Sequence, residues 1–205
     1  MKLSWNYKLR VASAFAAAAV GFGASAQSGG AAAAGGADAP KEWTVHVVAA
    51  YPHDPMAFTQ GLVIDHGQLY EGTGLNGMSS IRRVALETGK VEKIEPISSL
   101  FFGEGITILG DKLYELTWQN QVGFIYDVHS FKRLGEFRYT GEGWGLTQDG
   151  KHLILSDGTP MIRFLDPHSF EVVKTIEVRI GSQPVSQLNE LEYIDGQIWS
   201  NIWHD

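Results

Sequence analysis

The chain has 205 residues, 44% of them hydrophobic, with 23 Asp and Glu against 16 Lys and Arg for a formal net charge of −7. That length and apolar content fit one ordinary domain and exclude disorder as the dominant state. The absence of cysteine excludes disulfide frameworks, thiol nucleophiles, Cys-ligated zinc and iron–sulfur clusters.

In chain order the first element is an export signal over residues 1–26. Lys2, Lys8 and Arg10 precede the apolar run Val11 to Gly23, and Ala24-Ser25-Ala26 supplies a cleavage site before Gln27. The run is too short to cross about 30 Å of hydrocarbon, so a retained anchor is the weaker reading. Cleavage removes three positive charges and no acidic ones, taking the balance from 16 − 23 = −7 to 13 − 23 = −10. That sign argues against nucleic acid as a partner. Residues 27–39 are a Gly/Ala-rich linker with no side chains for a core, and residues 40–205 form the folded domain.

Within the domain the pattern is one of short alternating segments, read as strands at Thr44 to Val48, Gln68 to Glu71, Lys112 to Leu116, His152 to Leu155 and Gln197 to Asn201. His66-Gly67, Gly110-Asp111, Asp149-Gly150 and Asp195-Gly196 precede four of them as two-residue hairpin connections. The 24 glycines, about 12% against a usual 7% or so, fit a fold rich in tight turns. Trp43 is expected beside the first strand.

The segments are related to one another. Gly61-Leu62-Val63-Ile64-Asp65-His66-Gly67-Gln68-Leu69-Tyr70-Glu71 matches Gly105 to Glu115 at a shift of 44 residues, Gly145 to Leu155 follows 40 further on, and Leu191 to Trp199 is a fourth copy. A second tier repeats in phase, at Ala85 to Lys90, Asp127 to Lys132 and Asp166 to Glu171. A period of about 40 to 45 residues with several strands per unit is the signature of β-propeller blades. A β-sandwich would explain the strands but not two tiers in fixed phase. The fourth copy reaches Asp205 just after its inner hairpin, so about four blades are expected, the last of them largely missing.

Propellers place functional groups at the channel mouth, on the innermost strands and the loops entering them. Those positions read Phe58-Thr59-Gln60-Gly61, Phe101-Phe102-Gly103-Glu104-Gly105, Gly141-Glu142-Gly143-Trp144-Gly145 and Leu188-Asn189-Glu190-Leu191. Glu104, between two glycines, is the acid/base candidate, because a crowded, desolvated carboxylate has a raised pKa; a simple ion pair is the competing reading. Glu142 and Glu190 are read as solvated or structural. Trp118, Trp144, Trp199 and Trp203 fall at or after blade entrances and offer apolar pocket walls. The seven histidines show no metal-binding spacing and are assigned to turns and surface. A Walker A loop and a G-x-S-x-G elbow are both missing.

These entrance motifs resemble the plant- and bacterial-type glutaminyl-peptide cyclotransferases. The resemblance is carried by Phe58-Thr59-Gln60-Gly61-Leu62, Tyr70 to Gly74, Gly77 to Arg82, Phe102-Gly103-Glu104-Gly105, Leu116-Thr117-Trp118-Gln119, Gly143-Trp144-Gly145-Leu146, Ser156-Asp157-Gly158-Thr159 and Leu188 to Glu192, and it extends over Trp43 to Asp205. It implies a five-bladed β-propeller that converts the N-terminal glutamine of peptides and proteins to pyroglutamate with release of ammonia, without cofactor or catalytic metal. It puts the acid/base role on Glu104 and a substrate pocket on Phe58, Gln60, Phe102, Trp118, Trp144, Asn189 and Trp203. Most of a fifth blade and a pocket lysine would follow Asp205. An exported monomer acting in the periplasm or outside the cell, with no membrane partner after cleavage, completes the expectation. Two other readings stay open: a non-catalytic propeller that binds peptide or glycan at its aromatic mouth, and a glycosidase with paired carboxylates.

Overall fold

The computed structural model describes residues 20–22 and 43–204, which hold strands and turns but no helix. Apart from Val20–Phe22, the signal and linker readings for residues 1–26 and 27–39 lie outside the described residues. Strand β1 (Val20–Phe22) pairs with the last strand of the chain. The first blade is β2 (Thr59–Asp65), β3 (Gln68–Thr73), β4 (Ser80–Ala85) and β5 (Lys90–Pro96). The second is β6 (Gly103–Leu109), β7 (Lys112–Thr117), β8 (Val122–Asp127) and β9 (Arg133–Arg138). The third is β10 (Leu146–Gln148), β11 (Leu153–Leu155), β12 (Met161–Leu165) and β13 (Val172–Glu177). A ribbon, β14 (Arg179–Ile180) and β15 (Gln183–Pro184), leads to the hairpin β16 (Leu188–Ile194) and β17 (Gln197–Ile202), whose outer edge takes β1.

Each full blade is an antiparallel meander in sequence order, the cheapest topology for strands joined by tight turns. The innermost strands β2, β6, β10 and β16 follow one another side by side, so the blades are arrayed radially as in a propeller. The predicted repeats are the blades. Three apolar clusters lie between neighbours: Tyr70 and Ile81 with Leu113 and Phe124, Tyr114 and Leu116 with Leu146 and Leu155, and Ile154 and Ile162 with Leu188 and Leu191. Inner strand β6 is buried nearly throughout, whereas outer strands β5 and β13 are largely exposed.

Three of the hairpin readings hold as two-residue connections. His66-Gly67 and Asp195-Gly196 take positive φ at both residues, as a type I′ turn requires, and Gly110 does so alone before Asp111. The fourth differs. Asp149 to His152 is a four-residue loop, because the Asp149 carboxylate accepts the Lys151 and His152 amides at 2.9 and 2.7 Å and shapes the turn itself. Thr44 to Val48 is not a strand either. Its valines are exposed and no described strand pairs with it, so β-propensity finds no ladder to join. Trp43 packs edge-on against Trp199 of the last hairpin, ring centroids 5.7 Å apart.

The second-tier turns carry Gly89, Phe131 and Phe170 at one repeat position, all with φ near +60°. A phenylalanine there costs about 1–2 kcal/mol. Burying Phe131 against Tyr70 in the neighbouring blade, worth roughly 2–3 kcal/mol, offsets it.

Candidate active site

Three of the four inner strands are entered through a distortion that lifts side chains out of the regular pleat. The register of β2 on β3 slips between Thr59 and Gly61, that of β6 on β7 between Gly103 and Ile106, and that of β16 on β17 between Leu188 and Leu191. Such bulges re-aim side chains. They fall on Gln60, Glu104 and Asn189, three of the residues singled out by sequence. Small residues let the strands close up around them: a Cβ on Gly61 would lie 2.6 Å from the Ile106 amide nitrogen, and one on Gly105 2.6 Å from that of Leu146.

Glu104 is only 6% exposed. Its Oε2 accepts a hydrogen bond from Gln60 Nε2 at 2.6 Å across the blade boundary. Burial pushes its carboxyl up to about 9; the Gln60 bond opposes the shift and the Glu142 charge adds to it. A carboxyl in that state is neutral at pH 7 and has a proton to give.

A row of aromatic rings runs up to Gly74, which also neighbours Gln60. Phe58 meets Phe102 edge-on at 6.0 Å, and Phe102 meets Trp118 at 5.7 Å. Phe102 packs onto Gly74, where a Cβ would strike its ring and lie 3.0 Å from Gln60 Cγ. Trp118 is held by its backbone, its amide donating to the Phe102 carbonyl at 3.0 Å and its carbonyl accepting the Gly143 amide at 2.9 Å. Trp144 rests on Gly158, whose φ of 77° and missing side chain leave the indole its place. The two indoles meet at one atom: Trp118 Nε1 and Trp144 Nε1 each donate to Glu142 Oε2 at 2.8 Å, and Gln119 Nε2 reaches Oε1 at 3.2 Å.

The fourth inner strand is tied in through Ser156, whose hydroxyl donates to the Asn189 carbonyl at 2.6 Å and accepts the Gly145 amide at 2.8 Å. Trp203 sits apart from the aromatic row. Its amide bonds the Gln187 carbonyl at 2.8 Å and its ring lies 4.7 Å from that of His204. The structure therefore gathers Phe58, Gln60, Phe102, Glu104, Trp118 and Trp144 into one contact network, with Asn189 at the adjoining strand. Among the described residues no three His, Cys, Asp or Glu side chains converge as a metal site would need.

Two further carboxylates take definite surroundings from the fold. Glu142 is an acceptor for three side chains, which fills out the structural alternative of the sequence reading with named partners; the Gly-Glu-Gly pattern it shares with Glu104 was the available signal. Glu190 occupies the repeat position held by Gly61, Gly105 and Gly145. Its carboxylate oxygens are buried and make no hydrogen bond of ordinary geometry, lying only near the Leu191 and Leu146 amides. Burial, with the charges of Glu192 and Glu104, holds its carboxyl well above the usual range. His53 is exposed, as assigned, and from the surface its Nε2 lies 2.8 Å from Oε1 of the buried Glu71, which also accepts Thr59 Oγ1 at 2.6 Å. Together with the Asp54–Arg82 pair at 2.8 Å, it ties the segment leading to Phe58 onto the first blade.

Fold and site together describe a propeller protein with a buried carboxyl and a row of aromatic side chains at the entrances to its inner strands. The family model for glutamine cyclotransferase matches residues 15–205, and the chain belongs to that family. A glutaminyl-peptide cyclotransferase of Arabidopsis thaliana is 45% identical over 161 residues, 78% of this chain and 50% of the relative. The chain thus spans about half the length of that curated relative. The crystal structure of Myxococcus xanthus glutaminyl cyclase superposes with a TM-score of 0.73 at 38% identity, covering 78% of this chain and 68% of that one. The WD40 repeats of RRP9, at 15% identity and a TM-score of 0.50 over 68% of this chain and 43% of theirs, share the propeller fold alone.

Proposed function

We propose that the protein converts the N-terminal glutamine of peptides and proteins to pyroglutamate, releasing ammonia. The observation that carries this reading is Glu104, buried and hydrogen-bonded to Gln60, two residues along the chain from Phe102 in the aromatic row Phe58, Phe102 and Trp118. Cyclisation requires the substrate's α-amine to be neutral, since its lone pair attacks the γ-carboxamide carbon. The C–N bond to the amide nitrogen then breaks, and that nitrogen leaves as ammonia once it has gained a proton. Glu104 is the acid that supplies it. The α-amine has an ordinary pKa near 8 and the carboxyl is pushed up to about 9, so the two exchange a proton at little cost. The proton the amine loses replenishes the carboxyl, and atoms and charge balance. Gln60 and Asn189 orient the carboxamide, and the rings of Phe58, Phe102, Trp118 and Trp144 exclude water and hold the chain curled for ring closure.

The reactive state holds one proton between amine and carboxyl. kcat/KM is therefore expected to rise toward pH 8 as the amine deprotonates and to fall above about 9 as Glu104 ionises. Ammonia release from a Gln-initiated dipeptide, followed across pH, tests this. Glu104→Gln keeps the side chain's size and is expected to lower turnover by roughly 10²-fold or more and to abolish the alkaline limb. Binding without turnover by the unaltered protein would move the reading to a peptide-binding propeller; near-normal turnover by the variant would remove Glu104 from the mechanism.

The same reading includes a monomer exported by way of residues 1–26, working without a metal. The composition of that segment supports export, and chelators are expected to leave turnover unchanged.

A further inference from the structure

We infer that Glu142 is a positioning and specificity residue: it locks the two tryptophan walls of the pocket together across a blade boundary and sets a fixed negative charge at the mouth to receive the substrate's α-ammonium. The inference rests on the cyclisation reading above for its substrate, and on geometry for the rest. Trp118 follows β7 in the second blade and Trp144 precedes β10 in the third, so no single sheet fixes the angle between their rings. Trp118 is 38% exposed, too open for packing alone to hold its indole. Both indole N–H groups instead point at one oxygen, Glu142 Oε2, at 2.8 Å each, and an indole nitrogen is a donor only. Both acceptor positions of that oxygen are thereby used, and Gln119 engages the other oxygen at 3.2 Å.

All three donors are neutral, and Glu142 forms no ion pair among the described residues. Its charge is left for something else. Partial burial works against ionisation, but the bonds from Trp144, Gln119 and Trp118 outweigh it and hold the carboxyl below its usual range. At neutral pH the mouth thus carries an ionised Glu142 while the deeper Glu104 is neutral, a division of labour between two carboxyls set by environment. An indole that donates to a carboxylate has a more electron-rich face, which strengthens attraction to an ammonium group. The same charge raises the proton affinity of Glu104 and so helps keep the acid loaded.

Two variants of the full chain separate the roles. Glu142→Gln leaves a carbonyl oxygen for both indoles but removes the charge. It is expected to raise KM for a Gln-initiated dipeptide about 10-fold, to lower kcat much less, and to move the alkaline limb of the pH profile to lower pH. Glu142→Ala frees both rings as well; it is expected to lower kcat and raise KM together, and to make tryptophan emission red-shifted and more readily quenched by acrylamide. Unchanged KM and an unmoved limb in Glu142→Gln, or unchanged emission and quenching in Glu142→Ala, would overturn the inference. If Glu142→Ala fails to fold, Glu142→Gln carries the test through KM and pH. If the unaltered protein turns over no Gln peptide, the cyclisation reading fails separately, and the emission and quenching of Glu142→Ala still decide whether Glu142 holds the rings.

Discussion

Glu71 and Glu115 stand at the same position in consecutive copies of the repeat, and their surroundings make them different groups. Glu71 has His53 and Thr59 as partners. Glu115 is fully buried, with only Tyr126 Oη donating to Oε2 at 3.1 Å and with Oε1 unpartnered. Burial pushes the Glu115 carboxyl from 4.5 up to about 8, with the Tyr126 bond and the Arg133 charge opposing. Because the folded pKa is the higher one, the unfolded chain gives up this proton first. The stabilisation is therefore complete below about pH 4.5 and drains away as pH climbs to about 8. The loss is on the order of a few kcal/mol. The thermal midpoint is expected to fall over this window and to fall less in Glu115→Gln, which still accepts the Tyr126 hydroxyl. Parallel pH curves for the two proteins would show that Glu115 is not the source. The raised carboxyls of Glu104, Glu190 and Glu192 act in the same direction and remain in the variant.

Between strands, the closeness of the blades depends on what the inner-strand glycines lack. A Cβ on Gly145 would strike the Asn189 carbonyl oxygen and lie 2.7 Å from Glu190 Cα, backbone atoms of the next blade that cannot rotate away. Gly145→Ala is expected to destabilise the fold by about 2 kcal/mol or more and to depress turnover by shifting Asn189 and Trp144. Gly135 in outer strand β9 is the control, since its Cβ would meet only Ile125 Cδ1, at 3.9 Å; alanine there is expected to be neutral or stabilising by a few tenths of a kcal/mol. Urea melts of both variants check the contrast, and equal effects would show that blade spacing is not set by Gly145. The spacing reaches the chemistry directly, because Gln60 lies on β2 and Glu104 on β6 and their 2.6 Å bond crosses that boundary.

For the molecule as a whole, export and structure bear on the same edge. Val20–Phe22 pairs with the outer side of β17, and cleavage after Ala26 would remove that strand and leave the edge open. Exported material is expected to begin at Gln27, as intact-mass measurement would show. A chain retaining Met1 would reject cleavage. Since the new terminus would itself be glutamine, a mass lower by one ammonia would report its cyclisation.

Much of this architecture was legible from sequence because it rests on local rules. Turn dipeptides such as His66-Gly67 and Asp195-Gly196 adopt positive φ from their own local chemistry, and repeats 40 to 45 residues apart mark blades because each blade buries its faces in the same way. The site was legible in outline for a related reason: Gln60, Glu104, Trp144 and Asn189 sit at equivalent points of the repeat, and equivalent points of a propeller converge on its axis. What only the tertiary structure decided were the quantities that depend on partners from another blade. Thr44 to Val48 has the alternation of a strand but no neighbour to bond. Glu142 reads as a loop acid until two indoles from different blades meet on it, and Glu104, singled out by sequence as the acid/base candidate, has its burial and its Gln60 partner fixed only by the fold. Periodicity reports which face of a strand is apolar; desolvation and hydrogen bonding are set by atoms tens of residues away, and no local pattern encodes those distances.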